Sequence, residues 1–573
     1  MLRACVHIGV RHRQVPVLED SVYSPPPMED RSFAEEAAAS LPADVAASPL
    51  FSPDLAPVPA SRRVWTTYNF AALWISMAHC IPTYMLAGGL LANGMNWWQA
   101  LLTIGLGNLI VLVPILMNAH PGTRYGIPFP VLARASFGTS GANIPAMLRA
   151  IVACGWFGIQ TFIGGEAVKT FIIAVAPGFG DLGGGWTLAG LSLPSAITFA
   201  AFWAANIFII YRGMNAVRVF ENWAAPIVLV MAAVLLVWAV ARAGGFGPVV
   251  DEPSHFEGIA DFWPVFIPSL TGMVGFWSTL SLNIPDFTRF GRGQREQIMG
   301  QALGLPTTMI LFSAMGVVIT SASKAIMSGV EIKKLFDPVY ILAQLTSSTP
   351  PPGLHDPLIA SSGTRVMVAI LAVVGVLIAT VSVNIAANVV SPANDFANLA
   401  PKRISFKTGG LITGIVGVLM MPWKLLASAD TYIFEWLIGY SALLGPIAGI
   451  MIADYYLIRR RQLDVPDLYR PTGRYGRFNP VAIVALALGV APNVIGFLHA
   501  THIIQQFGDP SPAVAGALAF APGLAHLLPG SMIRPLAEPD VWDHIYPYAW
   551  FVGFAVAFGV YLGAMKALRR GAS

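Results

Sequence analysis

From residue 67 onward the chain alternates long uncharged apolar runs with short connectors rich in Arg, Lys, Asp and Glu. A helix that crosses a bilayer needs about 20 apolar residues. Runs of that order fall near 67–92, 97–117, 142–173, 194–211, 217–242, 262–285, 299–326, 364–391, 408–426, 429–457, 480–500 and 546–566. The pattern predicts an all-α polytopic membrane protein with twelve transmembrane helices. Pro512 to Pro529 is a further apolar stretch, but its prolines and glycines make it a weaker candidate for a thirteenth, short or re-entrant segment. Residues 1–66 are rich in Pro, Ala, Ser and acidic side chains and lack the apolar core of a signal peptide, so they read as a disordered N-terminal tail. Residues 567–573 form a short C-terminal tail.

Polar interruptions within the apolar runs carry the functional information. An uncompensated amide in hydrocarbon costs several kcal/mol, yet Asn384 and Asn388 lie four apart near the end of the eighth run, close to Ser382. Such a face is presented to something specific, and a small polar ligand fits it. The first run is interrupted by His79 and Pro82 in Trp74-Ile-Ser-Met-Ala-His-Cys-Ile-Pro82, and the sixth by Gly272 and Gly275 in Ser269-Leu-Thr-Gly-Met-Val-Gly-Phe-Trp-Ser278. Gly and Pro are common in membrane helices, but these segments lie five helices apart. Discontinuous helices at matching positions of two five-helix halves point to an inverted-repeat secondary transporter whose ligands bind at the unwound backbone. On that reading residues 67–242 form the first repeat, 262–457 the second, and 480–566 two C-terminal helices. In the third run Trp156 and Gln160 are four apart and share a helical face. With Trp277 at the sixth-run break and Asn388 on the eighth run, two indoles are available to stack on a planar heterocycle. Gln160 and Asn388 then pair with its in-plane N–H and C=O groups. Phe276, beside Trp277, and Asn384, one turn before Asn388, are grouped with them.

Composition supports the membrane setting: 55% of residues are hydrophobic, 11% are charged, and the mean hydropathy is +0.64. The net charge of +4 is spread through alternate connectors, so it speaks to topology and not to nucleic-acid binding. Basic connectors hold Arg62 and Arg63, Arg124 and Arg134, Arg212 and Arg218, Arg289 to Arg295, Lys402 to Lys407, Arg459 to Arg477, and Lys566 to Arg570; the connector with Asp251, Glu252, Glu257 and Asp261 is acidic. Both termini are therefore expected in the cytoplasm of a multi-pass protein of the cell membrane. The Arg459-Arg460-Arg461 run reads as a topogenic cluster of the same kind. Cys5, Cys80 and Cys154 include no close pair and predict neither a disulfide nor a metal knuckle. No cofactor motif and no nucleophile–base constellation is present, which argues against a membrane enzyme; a channel is the other rival. The expected partners are the lipid bilayer and a small heterocyclic solute, with the chain acting as a monomer.

Six segments carry a resemblance: Tyr68-Asn-Phe-Ala-Ala-Leu-Trp74, Trp156-Phe-Gly-Ile-Gln160, Asn283-Ile-Pro-Asp-Phe-Thr-Arg289, Asn384-Ile-Ala-Ala-Asn-Val-Val-Ser-Pro-Ala-Asn-Asp395, Gly445-Pro-Ile-Ala-Gly449 and Asp454-Tyr-Tyr-Leu-Ile-Arg459. Across roughly residues 50–480 the chain resembles the nucleobase:cation symporter-1 family, whose members carry hydantoins, allantoin, cytosine, uracil and purines on a LeuT-type five-plus-five inverted repeat. The resemblance implies import of a small planar nitrogen heterocycle with a cation by alternating access. It gives Trp156 and Trp277 the role of holding the ring and Gln160 and Asn388 that of hydrogen-bonding it. It also places a sodium ion between the first and eighth helices, on the carbonyls of Ser76, His79 and Ala379 and the hydroxyl of Ser382. Where the family supplies a second, adjacent hydroxyl, this chain has Val383. Either the Ser76 side chain or water replaces that oxygen, or coupling runs on protons, with His79, Glu166, Glu221 and Glu435 as intramembrane candidates; uncoupled permeation is the third reading. Ile81-Pro-Thr-Tyr-Met-Leu86 is most similar to members described as allantoin permeases, while stacking and amide pairing suit hydantoins and nucleobases equally.

Overall fold

The computed structural model describes residues 36, 38–39, 41–212, 214–426, 435–500 and 541–571; the Pro512 to Pro529 stretch lies outside them. Helix α1 (Thr67–Ala78) is opened by a capping box in which the Thr66 N–H donates to Asn69 Oδ1 at 2.8 Å. It stops at His79, and α2 (Ile81–Ala92) restarts with Pro82 in its first turn, where a missing N–H does no harm. The two halves meet at 60°. Then come α3 (Trp97–Tyr125), α4 (Phe129–Phe137) and the 33-residue α5 (Asn143–Val175). A two-stranded antiparallel hairpin, β1 (Thr187–Leu188) and β2 (Leu191–Ser192), leads into α6 (Leu193–Arg212) and α7 (Met214–Ala243). The next segment is α8 (Ile259–Phe276), interrupted at Trp277 and continued by α9 (Ser278–Asn283). The chain proceeds through α10 (Gln294–Ile326), the short α11 (Pro338–Thr346), α12 (Ser362–Asn388), α13 (Val390–Leu399) and α14 (Phe406–Leu419). Helix α15 (Ile438–Ile452) runs into a π-wound turn, Ala453–Ile458, and α16 (Pro480–Ala500) and α17 (Ala549–Gly571) close the chain.

Among the described residues nine helices are long and apolar enough to cross a membrane, or ten with α1 and α2 taken as one span. Twelve runs were expected; at the fifth and ninth stand shorter apolar helices, Leu229–Ala243 within α7 and Phe406–Leu419. Small residues set the closest packing. A Cβ on Gly300 of α10 would lie 2.5 Å from the Thr67 carbonyl oxygen, and one on Gly304 2.9 Å from Trp74 Cβ, so this four-residue spacing lets α10 lie directly on α1. Gly275 serves α8 in the same way: its Cβ would meet the Leu437 carbonyl oxygen at 2.7 Å. The glycines of the sixth run thus permit close helix contact, while the interruption itself falls at Trp277.

The basic end of the bundle is built on buried ions. Arg149 of α5 pairs with Asp395 of α13 at 3.2 Å, both side chains being fully buried. Asp286 accepts the Phe129 N–H at 2.9 Å. Arg134 donates to Asn398 Oδ1 at 2.7 Å and to the Leu468 and Leu50 carbonyls at 3.1 Å. Asp454 accepts from Tyr561 at 2.7 Å, Ser136 at 3.2 Å and Arg459 at 2.6 Å.

Across this end runs a segment expected to be disordered. Residues 41–66 are instead packed, with Val45, Leu55, Ala56 and Val58 at 0% exposure. The expectation failed because the segment's partners are distant in sequence. Tyr469 OH donates to the Leu55 carbonyl at 2.6 Å, Arg289 to that of Asp54 at 3.0 Å, and the Trp65 N–H to Phe290 O at 2.9 Å. Arg470 joins Asp44 to Asp467, and beside Arg470 the Asp467 carboxyl titrates below its usual range.

Removing one member of the Arg149–Asp395 pair strands a buried charge, a cost of about 3–5 kcal/mol. Arg149→Ala is therefore expected to lower the thermal midpoint sharply and to cut the monodisperse fraction in detergent, while Arg149→Met with Asp395→Leu recovers much of the loss. Equal stability of Arg149→Ala and wild type in a size-exclusion melting series would refute the structural role.

Candidate functional site

The breaks at His79–Cys80 and Trp277 face a small cavity of about 30 Å³ lined by Met77, Cys80, Trp156, Gln160, Phe276, Trp277, Thr279, Leu280, Val383, Ala387 and Asn388. That is far below the volume of small-ligand pockets, roughly 300–1,000 Å³, so the walls are closed on one another in this structure. Four separate segments converge on it: the α1–α2 break, α5, the α8–α9 interruption and the end of α12. Trp156, Gln160, Phe276, Trp277 and Asn388, grouped by sequence, are thus brought together on one cavity wall. Asn384 is not on that wall.

The aromatic side of the cavity is a ring cluster. Phe276 meets Trp156 edge-to-face at 5.1 Å and Trp277 at 4.9 Å, and Trp277 in turn meets Trp74 at 5.1 Å. Behind Trp156 stand Trp436 and Tyr440, with Tyr440 donating to the Gly275 carbonyl at 2.8 Å. These contacts lock the rings in place, as edge-to-face packing does.

The polar side is fixed by Asn384. Fully buried, it directs Nδ2 towards Thr161 Oγ1 at 3.2 Å, Asn206 Oδ1 at 3.3 Å and the Phe157 carbonyl at 3.4 Å, tying α12 to α5 and α6. Its Oδ1 accepts from Asn388 Nδ2 at 3.2 Å. That bond orients the Asn388 amide and leaves its Oδ1 and second N–H for a ligand. Gln160 Oε1 and Trp277 Nε1 are both buried without a hydrogen-bond partner. A bare acceptor and a bare donor on the wall of one cavity match a ring carrying its own N–H and C=O groups.

The candidate cation ligands lie one layer away, where α1 and α12 pack together. Ser76, Ala379 and Ser382 are buried, and Ser382 Oγ has no hydrogen-bond partner. At the break, His79 has φ −79° and ψ 67°, outside the helical range, so the break supplies backbone carbonyls free of the regular ladder. Its ring Nδ1 lies 2.5 Å from the Ile75 carbonyl and its ring sits 4.7 Å from Phe312. Val383, expected as a gap in the cation shell, is part of the lining of the ring cavity. Glu166 pairs with Lys169, which also donates to Ser195 at 2.8 Å. Glu435 is partly buried ahead of α15, and the Glu221 side chain lies outside the described residues. Among the described residues no group of three or more His, Cys, Asp or Glu side chains is placed to hold a metal ion. Sequence reasoning missed Cys80, Met77, Thr279, Leu280, Val383 and Ala387 as cavity lining. The first and third of these sit beside the two breaks, which was the available signal.

A family model described as "Permease for cytosine/purines, uracil, thiamine, allantoin" matches residues 57–514. The chain is 43% identical to the purine-uracil permease NCS1 of Arabidopsis thaliana over 468 residues, 80% of this chain and 74% of that one. It is also 43% identical to the allantoin permease of Bacillus subtilis over 476 residues, 82% of this chain and 92% of that one. In three dimensions it is similar to Mhp1, described as a nucleobase-cation-symport-1 family transporter, in a closed conformation with bromovinylhydantoin bound. The TM-score is 0.63 at 24% identity, over 91% of this chain and 96% of that one, and the likeness gives the LeuT-type fold class. The chain belongs to the family of permeases for cytosine/purines, uracil, thiamine and allantoin, and it is a multi-pass membrane transporter with the fold of the nucleobase-cation symporters.

Proposed function

We propose that this transporter imports a small planar ring with alternating N–H and C=O groups, a hydantoin-like ureide such as allantoin or a nucleobase, together with sodium. The observation that carries the reading is the pair of unpartnered buried groups, Gln160 Oε1 and Trp277 Nε1, on a cavity walled by fixed indoles. Trp156 and Trp277 hold the ring faces, Gln160 and Asn388 pair with its edge, and Asn384 positions Asn388 without touching the substrate. The family relatives named as allantoin and purine-uracil permeases support this class of cargo. A four-helix bundle and a hash-like scaffold rock against each other around the cavity.

Sodium is favoured over the proton by pairing. Ser382 Oγ is a buried hydroxyl oxygen without a hydrogen-bond partner at the α1–α12 contact, whereas His79 Nδ1 is taken by the Ile75 carbonyl and Glu166 forms an ion pair with Lys169 through Oε2, only its Oε1 being unpartnered. Bound at the α1–α12 contact, a cation holds the broken helix against the scaffold and thereby shapes the adjoining ring cavity.

Asn388→Ala and Gln160→Ala each remove about 1–3 kcal/mol of water-poor hydrogen bonding. Both are expected to weaken substrate binding at least about tenfold in purified, folded protein. Trp277→Phe is expected to be milder than Trp277→Ala. A binding panel of allantoin, hydantoins, uracil, cytosine and adenine checks this; wild-type affinity of Asn388→Ala for every compound would refute the cavity.

For the cation, Ser382→Ala is expected to raise the sodium concentration needed for half-maximal uptake, and Val383→Thr, which adds an oxygen without added bulk, to lower it. Full uptake in sodium-free buffer, abolished by a protonophore, would instead assign the coupling to protons. Both termini are placed in the cytoplasm. In a Cys-free background, an impermeant thiol reagent on right-side-out cells should label Ser254→Cys and spare Ser405→Cys; the reverse pattern would invert the topology.

A further inference from the structure

A solvent-open cleft of about 660 Å³ lies at the basic end of the bundle, sharing no lining residue with the ring cavity. It is formed where the π-wound turn after α15, the loop that follows and the last turn of α17 meet. Arg459, Arg474 and Arg569 line it, together with one carboxylate, Asp464. Three guanidinium charges line it against one carboxylate, and Asp454, bonded to Arg459 from behind, offsets one more, which leaves a surplus of one. The lining also includes the apolar side chains of Ile458, Leu463, Val465 and Pro466.

The three guanidinium groups are held to different degrees. Arg459 is fixed, with Nε on Asp454 at 2.6 Å, Nη2 on the Ala135 carbonyl at 2.5 Å, and its plane 4.6 Å from the Tyr475 ring. Arg569 spends one N–H, from Nη1, on the Ile458 carbonyl at 2.8 Å. Arg474 reaches Asp464 only at 3.8 Å, and its side chain is 62% exposed. Arg474 and Arg569 therefore bring donors to the cleft that its own residues do not saturate. A topogenic role explains why such loops are basic; it does not explain why arginines from three separate segments converge on one cleft.

The cleft also has a lipid side. Leu457 and Leu568, the neighbours of Ile458 and Arg569, are 47% and 60% exposed at the end of membrane helices. Arginines suit phosphate oxygens through paired, charge-assisted hydrogen bonds, and a basic pocket with apolar flanks at a helix end matches a headgroup whose chains run alongside. We propose that this cleft binds the phosphate of an anionic phospholipid, with Arg474 and Arg569 as its ligands and Arg459 as a fixed positive wall. The bound lipid clamps α17 to the turn after α15, and the proposal stands independently of the solute carried.

The test uses the full chain in nanodiscs of phosphatidylcholine with or without phosphatidylglycerol, reading lipid retention by native mass spectrometry and the thermal midpoint. Wild type is expected to retain phosphatidylglycerol preferentially and to melt higher with it. Arg474→Gln with Arg569→Gln, which leaves the Arg459–Asp454 tie intact, is expected to weaken that binding by about fivefold per arginine, while melting like wild type in pure phosphatidylcholine. The double lysine variant should keep most of the preference. Equal phosphatidylglycerol retention by wild type and the Gln variant would overturn the proposal. So would an equal midpoint rise from inorganic phosphate in pure phosphatidylcholine, which would assign the cleft to a soluble anion.

Discussion

A polar group removed from water must be paired, and this one requirement organises the molecule from its ring cavity to its basic end. Asn384 shows it most directly. A single amide, fully buried, connects α12 to α5 and α6 and uses its remaining oxygen to orient Asn388. The pairing is complete around Asn384 and incomplete on the cavity wall, where Gln160 Oε1 and Trp277 Nε1 stand without partners. A wall of unsatisfied groups backed by a fully paired one holds its donors and acceptors in fixed positions.

The breaks in α1–α2 and α8–α9 follow from the same constraint. Interrupting a helix releases backbone groups that a bilayer cannot satisfy, so such breaks survive only where protein or a polar cavity surrounds them. Here each has the cavity on one side. Close packing supports them from the other: Gly300 and Gly304 bring α10 onto α1, and Gly275 brings α8 onto α15. The ring contacts from Trp74 through Trp277 and Phe276 to Trp156 then join the two broken segments to α5 in one aromatic chain.

At the basic end the pairing centres on buried charged side chains. Arg149 with Asp395, Arg134 with Asn398, and Asp454 with Tyr561 and Arg459 join helices far apart in the chain. The resemblance motif ending at Arg289 is thereby placed in this foundation, while the motif from Asn384 to Asp395 spans both, with Asn388 on the cavity wall and Asp395 at the basic end. The segment 41–66 completes it by offering backbone carbonyls to Arg134, Arg289 and Tyr469.

The sequence by itself determined the membrane setting, the helical class and the principal wall of the cavity. Apolar run length, Pro82 beside His79, and the four-residue spacings of Trp156 with Gln160 and Asn384 with Asn388 are local properties, legible without any long-range contact. Only the tertiary structure decided how those residues divide their work. Asn384 and Asn388 are chemically identical and one turn apart, yet one faces α5 and α6 and the other the cavity, because neighbouring helices meet the two positions differently. Val383 was legible as a missing hydroxyl but not as cavity lining, and residues 41–66, rich in Pro, Ala and Ser without helical or strand periodicity, did not announce that arginines and a tyrosine hundreds of positions away would bury them. Such pairings depend on which surfaces meet after folding, and no local pattern in the chain encodes that.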